Sequence, residues 1–185
     1  MKSEKGKANL PTVRLKIGPV TYTEREIPDD SPEALAIKAK LEREGNEIYE
    51  AVVTDIRKSG FFNQDMLPEL EKRIEGLKRG AKWQLPAKEI KQYLSALGLQ
   101  QEKPGDILKY IHLQNQNKLY RKRALAEMKR DGVKKVEISI WDDDGDCPKI
   151  QKLKKVWPID KVPDFPLPGC TAKYCRCEYL PVDSI

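Results

Sequence analysis

Four cysteines in the C-terminal third of the chain limit its fold more than any other feature. One stands alone upstream and three lie close together, at Cys147, Cys170, Cys175 and Cys177. Four thiolates are the ligand set of a tetrahedral structural zinc site, with Zn–S distances of about 2.3 Å, and such a metal replaces part of a missing hydrophobic core. The spacing therefore predicts a structural zinc site built from these four cysteines.

The rest of the sequence predicts the cellular compartment, and the compartment determines whether the thiols are reduced. No apolar run approaches the roughly 20 residues that span a bilayer, and the N-terminus MKSEKGKANL lacks the apolar segment of a secretory signal. We therefore expect a cytoplasmic protein without a membrane partner. Cytoplasmic thiols stay reduced, which favours a metal site, with two disulfides or unpaired thiols as the alternatives. Thiolate ligands point to zinc over magnesium or calcium.

The charge balance predicts either an anionic partner or simply a soluble surface. Lys and Arg number 35 against 29 Asp and Glu, which gives a formal net charge of +6 and a pI near 9.0. A balance of this size suits both interpretations. The length of 185 residues fits one domain, or a small domain with an appended module.

The local patterns predict a mainly helical α+β protein in three parts. Residues 1–10 are polar and lysine-rich and form a predicted disordered tail. Residues 11–104 form a predicted helical region that begins with a short hairpin, because apolar and charged residues alternate on both sides of Gly18-Pro19. Residues 105–185 combine a long helix with a small β-rich module resembling a zinc knuckle.

Helix signals subdivide these regions. Ser31 caps a predicted helix that ends at Ser59-Gly60, and Gly132 stops the long one. The first predicted helix begins at Pro32 and either continues or restarts past Gly45-Asn46 before it ends at Ser59. The others run from about Leu67 to Lys78, from Pro86 to Leu97 with Gly98 as the stop, and from Asp106 to about Arg130.

The cysteine module itself has three predicted strands. Its apolar residues alternate with polar ones in the first strand, around Val136 and Ile138, and recur around Val156-Trp157 and Tyr179-Leu180. The prolines between Asp160 and Gly169 stiffen the segment before Cys170 and so limit where this cysteine can lie. In a regular strand Cys175 and Cys177 point to the same side, so both sulfurs reach one ion if the strand bends there.

Basic residues in the second half of the chain are candidates for binding nucleic acid or an acidic partner. They lie on the distal half of the long helix and between the first two strands, at Lys118, Arg121, Lys122, Arg123, Lys149, Lys152, Lys154 and Lys155. The alternative interpretation is a solvated face with cations placed favourably near a helix C-terminus. Few aromatic residues accompany these charges, so stacking on single-stranded bases has little support.

Motifs of the common enzyme classes are missing. His112 is the only histidine, no Ser/His/Asp set stands at recognisable spacing, and neither GxxxxGK[ST] nor GxGxxG occurs. We therefore expect no nucleotide cofactor and no catalytic residues. The run Asp142, Asp143, Asp144 and Asp146 is either a solvated turn or, with Lys135 or Glu137, the acidic set of a Mg²⁺-dependent nuclease.

A series of short motifs extends from the end of the long helix to Val182. In order, they are Gly132-Val133-Lys134-Lys135-Val136-Glu137, Asp143-Asp144, Cys147-Pro148, Lys155-Val156-Trp157-Pro158-Ile159-Asp160, Pro168, Cys170, Cys175-Arg176-Cys177 and Pro181-Val182. From about Asn115 onward, the chain resembles the C-terminal part of the phage Mu F-like minor head protein (head morphogenesis) family. Ile150 replaces the second cysteine of that family's CPxC motif, and Cys170 stands near the position of a frequent histidine.

The resemblance implies a non-enzymatic phage or prophage structural or assembly protein. Its zinc-stabilised C-terminal module would dock on a portal protein, a capsid protein or DNA, in the cytoplasm or in the virion. A protein that binds nucleic acid without sequence preference is the first alternative, and a Mg²⁺-dependent nuclease or effector is the second.

Overall fold

The computed structural model describes residues 31–77, 83, 85–139, 149–170, 172 and 174–182. Within these ranges helices dominate, and three short strands form one antiparallel sheet. The prediction of a mainly helical α+β protein is confirmed at this level. The predicted tail at 1–10 and the predicted hairpin around Gly18-Pro19 lie outside the described residues.

The chain divides into two compact units, Met1–Gly45 and Asn46–Ile185. The first described helix, α1, spans Pro32–Ser59. It begins as predicted, because the Oγ of Ser31 accepts a hydrogen bond from the N–H of Ala34 at 3.1 Å. Gly60 then adopts a φ of 70°, a conformation that glycine accepts without steric cost.

The first core of the second unit is built by helices. Besides α1 these are α2 (Leu67–Glu75), α3 (Ala87–Tyr93), α4 (Ala96–Leu99) and α5 (Ile107–Arg130). Apolar residues at helical spacing supply its buried faces, among them Val52, Ile56, Leu70, Ile74, Ile90 and Leu108. Two polar side chains, His112 and Asn115, are also buried on α5.

The predicted single helix from Pro86 to Leu97 is wrong, because the chain breaks into α3 and α4. Leu94 between them is extended, with a ψ of 140°, and pairs in an isolated bridge with Phe62. Ser95 then caps α4 by accepting the N–H of Gly98 at 3.2 Å. Burying Phe62 and Leu94 in the core thus requires a backbone pairing that a continuous helix forbids.

Gly98 is required by this break rather than by the end of a helix. A Cβ at position 98 would overlap the carbonyl oxygen of Phe61. The close approach of α4 to the Phe61–Phe62 segment therefore depends on glycine. Helix α2 also ends at Glu75, three residues before the predicted Lys78, where a turn bonds the N–H of Leu77 to the Ile74 carbonyl at 2.9 Å.

Helix α5 ends as predicted and leads directly into the sheet. The N–H of Gly132 bonds to the carbonyl of Lys129 at 3.1 Å, and that of Val133 to the carbonyl of Met128 at 2.9 Å. With a φ of 81° at Gly132, this is a Schellman motif. It turns the chain sharply, so β1 begins beside the last turn of the helix.

The second core lies under the three-stranded sheet. Strands β1 (Lys135–Ser139), β2 (Val156–Pro158) and β3 (Glu178–Pro181) are arranged in the order β2-β1-β3, and both pairings are antiparallel. Its buried residues are Val136, Ile138, Ile150, Ile159, Phe165, Cys175, Cys177 and Tyr179. Two cysteines are therefore part of the core of this module.

Candidate functional site

Three of the four predicted zinc ligands lie together. Cys175 and Cys177 are buried and Cys170 is half-buried, and all three are thiols. The Cys175 thiol is within hydrogen-bonding reach of both Cys177 and Cys170. The hydrogen bond with Cys177 is the main reason that the pKa of Cys175 falls to about 6, although burial works in the opposite direction. Cys147 lies outside the described residues.

A group of three or more His, Cys, Asp or Glu side chains arranged to hold a metal ion does not occur in the described parts of the chain. Thiols are nevertheless donors that zinc prefers, and those of Cys170 and Cys177 both lie within hydrogen-bonding reach of Cys175. Ile150 is only 4% exposed and belongs to the second core.

Arg121 on α5 fixes the cysteine segment to the helix. The residue is only 6% exposed. Its Nη1 donates to the carbonyl oxygens of Cys175 at 3.1 Å and Cys177 at 3.2 Å, and its Nη2 donates to that of Phe165 at 3.2 Å. The guanidinium charge also helps to lower the pKa of Cys175. One side chain therefore joins α5, the proline-rich segment and the two buried cysteines.

Two more side chains of α5, which the sequence analysis did not select, hold the same segment. Asn117 donates from Nδ2 to the Cys175 carbonyl at 2.9 Å, and Gln114 accepts the N–H of Cys175 at 2.7 Å. Together with Arg121 they stand at i, i+3 and i+7, so they share one face of the helix. The available signal was this polar stripe, since three hydrogen-bonding side chains on one face suit a buried polar contact.

A groove beside this contact is strongly basic. Its volume is about 360 Å³. One wall is α5 and the other is the segment before the cysteines together with β3; the lining residues are Lys118, Arg121, Lys122, Leu125, Ala126, Lys129, Asp164, Phe165 and Tyr179. We refer to this feature as the basic groove. Asp164 lines it although it was not selected from the sequence.

The aromatic wall of the basic groove is largely covered. The rings of Phe165 and Tyr179 stack with centroids 5.4 Å apart, and both side chains are buried. The Tyr179 hydroxyl donates to the Pro163 carbonyl at 2.7 Å. Burial raises the pKa of Tyr179 to about 12, so this hydroxyl stays protonated and adds no negative charge to the groove at neutral pH.

The structure separates the predicted basic residues into different surfaces. Lys118, Arg121 and Lys122 line the basic groove, whereas Arg123 forms an ion pair with Glu47 at 2.9 Å. Lys149 donates to the Pro168 carbonyl at 2.7 Å. The remaining lysines, Lys152, Lys154 and Lys155, are exposed around a 3-10 turn just before β2.

The position of β1 explains this separation. It lies between β2 and β3, and α5 contacts β3. The lysines before β2 therefore lead into the strand on the other side of β1 from β3. None of them lines the groove, although the end of α5 reaches the turn after β2, where Lys129 pairs with Asp160. The two basic surfaces are thus distinct, and variants in each can be compared.

His112, the only histidine of the chain, is buried on α5. Its ring stacks on Trp83 with centroids 4.8 Å apart and an interplanar angle of 5°. Burial lowers the pKa of His112 to about 4, so the ring is neutral at physiological pH. This environment is that of a packed aromatic residue.

The acidic run Asp142–Asp146, on which the nuclease hypothesis depends, lies outside the described residues. Its two suggested partners are on β1, where Lys135 is exposed and Glu137 is half-buried. Among the described residues, no helix is long and apolar enough to cross a membrane. Comparison of the chain with protein-family models, with curated proteins and with solved structures gave no match.

Proposed function

We propose that this protein is a non-enzymatic docking protein whose C-terminal module is stabilised by zinc and binds an anionic macromolecular partner. The observation that carries the proposal is the junction at Arg121, which joins the cysteine segment to the basic groove. The resemblance of this module to phage minor head proteins suggests assembly of a phage or prophage particle as the setting. Its partner would then be a portal protein, a capsid protein or DNA, met in the cytoplasm or in the virion.

The zinc ion would be held by Cys170, Cys175 and Cys177, with Cys147 as the fourth ligand. When bound, it would cross-link the proline-rich segment to the strand that follows. Because four thiolates leave Zn²⁺ with a net charge of −2, a nearby buried cation stabilises the site. Arg121 supplies that cation through the segment that it already holds.

Native mass spectrometry tests the zinc assignment. Protein purified without added metal should carry one zinc that is lost on acid denaturation. The Cys175→Ser variant should lack it, whereas Ile138→Val, a conservative change in the same core, should keep it. A native mass equal to that of the chain, with all cysteines titrating as thiols, would overturn the assignment.

The docking role has its own test. Co-purification of the tagged protein with portal or capsid proteins from a phage-producing host is the expected result, and it should be lost when the partner binding is competed with salt. Recovery of the protein alone at low salt, with zinc bound, would argue against docking while leaving the metal site intact.

Nucleic-acid binding without sequence preference is the second candidate function. The basic groove favours it, because three lysines and a buried arginine face a single carboxylate there. Such binding should weaken steeply with salt, since counterions are released when phosphates are neutralised.

A further inference from the structure

The cations of the basic groove form a line along α5. Lys118, Arg121, Lys122 and Lys129 stand at i, i+3, i+4 and i+11, and Leu125 and Ala126 fill the gap. This spacing places all six on one helix face. At 1.5 Å per residue the line is about 16 Å long, so it can contact more than one phosphate of a strand.

The positive charge in the groove is poorly compensated. Lys129 forms an ion pair with Asp160 at 2.9 Å. Within the described ranges, Lys118, Arg121 and Lys122 have no carboxylate at ion-pairing distance, and the Nε of Arg121 is buried without a hydrogen-bond acceptor. Arg121 lies beside Cys175 and offsets the thiolate charge of the proposed zinc site. The uncompensated charge that reaches solvent is therefore that of Lys118 and Lys122, which are both exposed. The groove is therefore suited to an external anion.

We propose that the basic groove binds the phosphate backbone of one nucleic-acid strand. This inference rests on the proposed docking function and identifies the partner. Lys118 and Lys122 contact successive phosphates, and Arg121 contributes a fixed charge at the base of the groove. Leu125 and Ala126 lie between the cations, where the sugars pass.

Phosphate fits this groove better than the carboxylates of an acidic peptide. Two-point recognition of a carboxylate needs an arginine fork, and both Nη atoms of Arg121 already donate to main-chain carbonyls. The exposed lysines act as point charges. Phosphates tolerate that geometry, because their oxygens accept from many directions.

Recognition stops at the backbone. Phe165 and Tyr179 stack on each other and are no more than 5% exposed, so they offer little ring surface to a base. The groove then reads no sequence, since phosphate contacts position a strand without specifying it. Asp164 on the opposite wall repels the backbone and keeps the affinity moderate.

Fluorescence anisotropy with the full-length, metal-loaded protein tests this proposal. The probe is a mixed-sequence single-stranded DNA of about 12 nucleotides, within the usual site sizes. Replacing both groove lysines, in Lys118→Gln/Lys122→Gln, should weaken binding about tenfold near 0.1 M salt and reduce the salt slope by about 1 to 2. Asp164→Asn should strengthen binding about twofold.

The matched control changes the other basic surface by the same charge. Lys152→Gln/Lys155→Gln should alter the affinity less than twofold, roughly the effect of net charge alone. Thermal unfolding should be alike for the two double variants. Equal losses of affinity in the two double variants would mean that the DNA responds to the net charge of the protein and not to the groove, which would overturn the proposal.

Two further probes separate failure of this inference from failure of the docking function. An oligonucleotide of the same sequence with an uncharged methylphosphonate backbone should not bind. A poly-glutamate peptide of equal net charge should bind at least tenfold more weakly than the DNA. If the peptide binds as tightly as the DNA, the docking function stands and the phosphate assignment fails. If zinc is bound but neither probe binds, the phosphate assignment fails, and the co-purification experiment alone then decides the docking function.

Discussion

The two cores of the second unit are stabilised in different ways. The first packs large apolar side chains from several helices, such as Leu70 and Ile90, around Phe62 from the segment after α1. The second lies under three strands of three to five residues and includes cysteines among its buried residues. In place of a larger apolar surface it has Arg121, whose hydrogen bonds reach main-chain carbonyls far along the sequence. The first core should therefore tolerate the loss of a polar contact far better than the second.

Of the variants that test this difference, replacement of Arg121 should lower the free energy of unfolding the most. Arg121→Leu leaves the carbonyls of Cys177 and Phe165 without their side-chain donor and the Cys175 carbonyl with Asn117 alone. We expect the free energy of unfolding of the second core to fall by about 3–5 kcal/mol. Hydrogen exchange should accelerate in β1 and β3 before it does in α1 and α2.

Arg123→Leu is the matched control, because Arg123 lies on the same helix in an exposed ion pair with Glu47. It should cost less than about 1 kcal/mol. Similar effects of the two variants, or uniform acceleration of exchange in both cores, would mean that the cores are stabilised as one structure.

A change in the first core should act through packing. Gly98→Ala places a Cβ against the carbonyl of Phe61 and should cost about 2–3 kcal/mol, because the backbone of α4 must move. In Gly76→Ala, the added Cβ meets its nearest neighbour, the Arg73 carbonyl, at an ordinary 3.5 Å. Urea denaturation should show little change for this second variant; comparable losses would refute the packing argument.

Titration of His112 should have the smallest effect on the free energy of unfolding, and this effect is limited to one pH range. Its pKa is about 4 in the folded protein and 6.5 when exposed, so between these values the unfolded chain binds more protons. Stability is then complete above about pH 6.5 and has fallen by about 1–2 kcal/mol at about pH 5.

Comparison with His112→Phe isolates this term from the titrating carboxylates. The melting temperatures of the two proteins should diverge as the pH is lowered from 7 to 4, with the native protein losing more. Parallel curves would show that the ring is not held neutral by the first core.

Local signals predicted the ends of the long helices, but not the contacts between distant segments. The Ser31 cap and the Gly132 stop were found because each depends on a few neighbouring residues. The break at Leu94 was missed, since it depends on Phe62, more than thirty residues earlier.

The residues of the candidate site show the same difference between local signals and distant contacts. The cysteines were selected from the sequence by composition and spacing alone. Arg121 was interpreted as a surface charge, although it is buried and bonds to carbonyls more than forty residues away. Gln114 and Asn117 were missed for the same reason, because their partner, Cys175, also lies far along the sequence. Such roles depend on which strand lies against the helix, and hydrophobic periodicity does not encode that.

The central position of β1 also orders the assembly of the sheet in time. Glu137 pairs with Val156 on one side and with Leu180, more than twice as far along the chain, on the other. Closing the longer loop costs roughly 0.6 kcal/mol more for each doubling of length, and distant pairings form slowly. We expect the β1–β2 hairpin to form first and β3 to join last. Transient opening then begins at β3, the strand that directly follows Cys177.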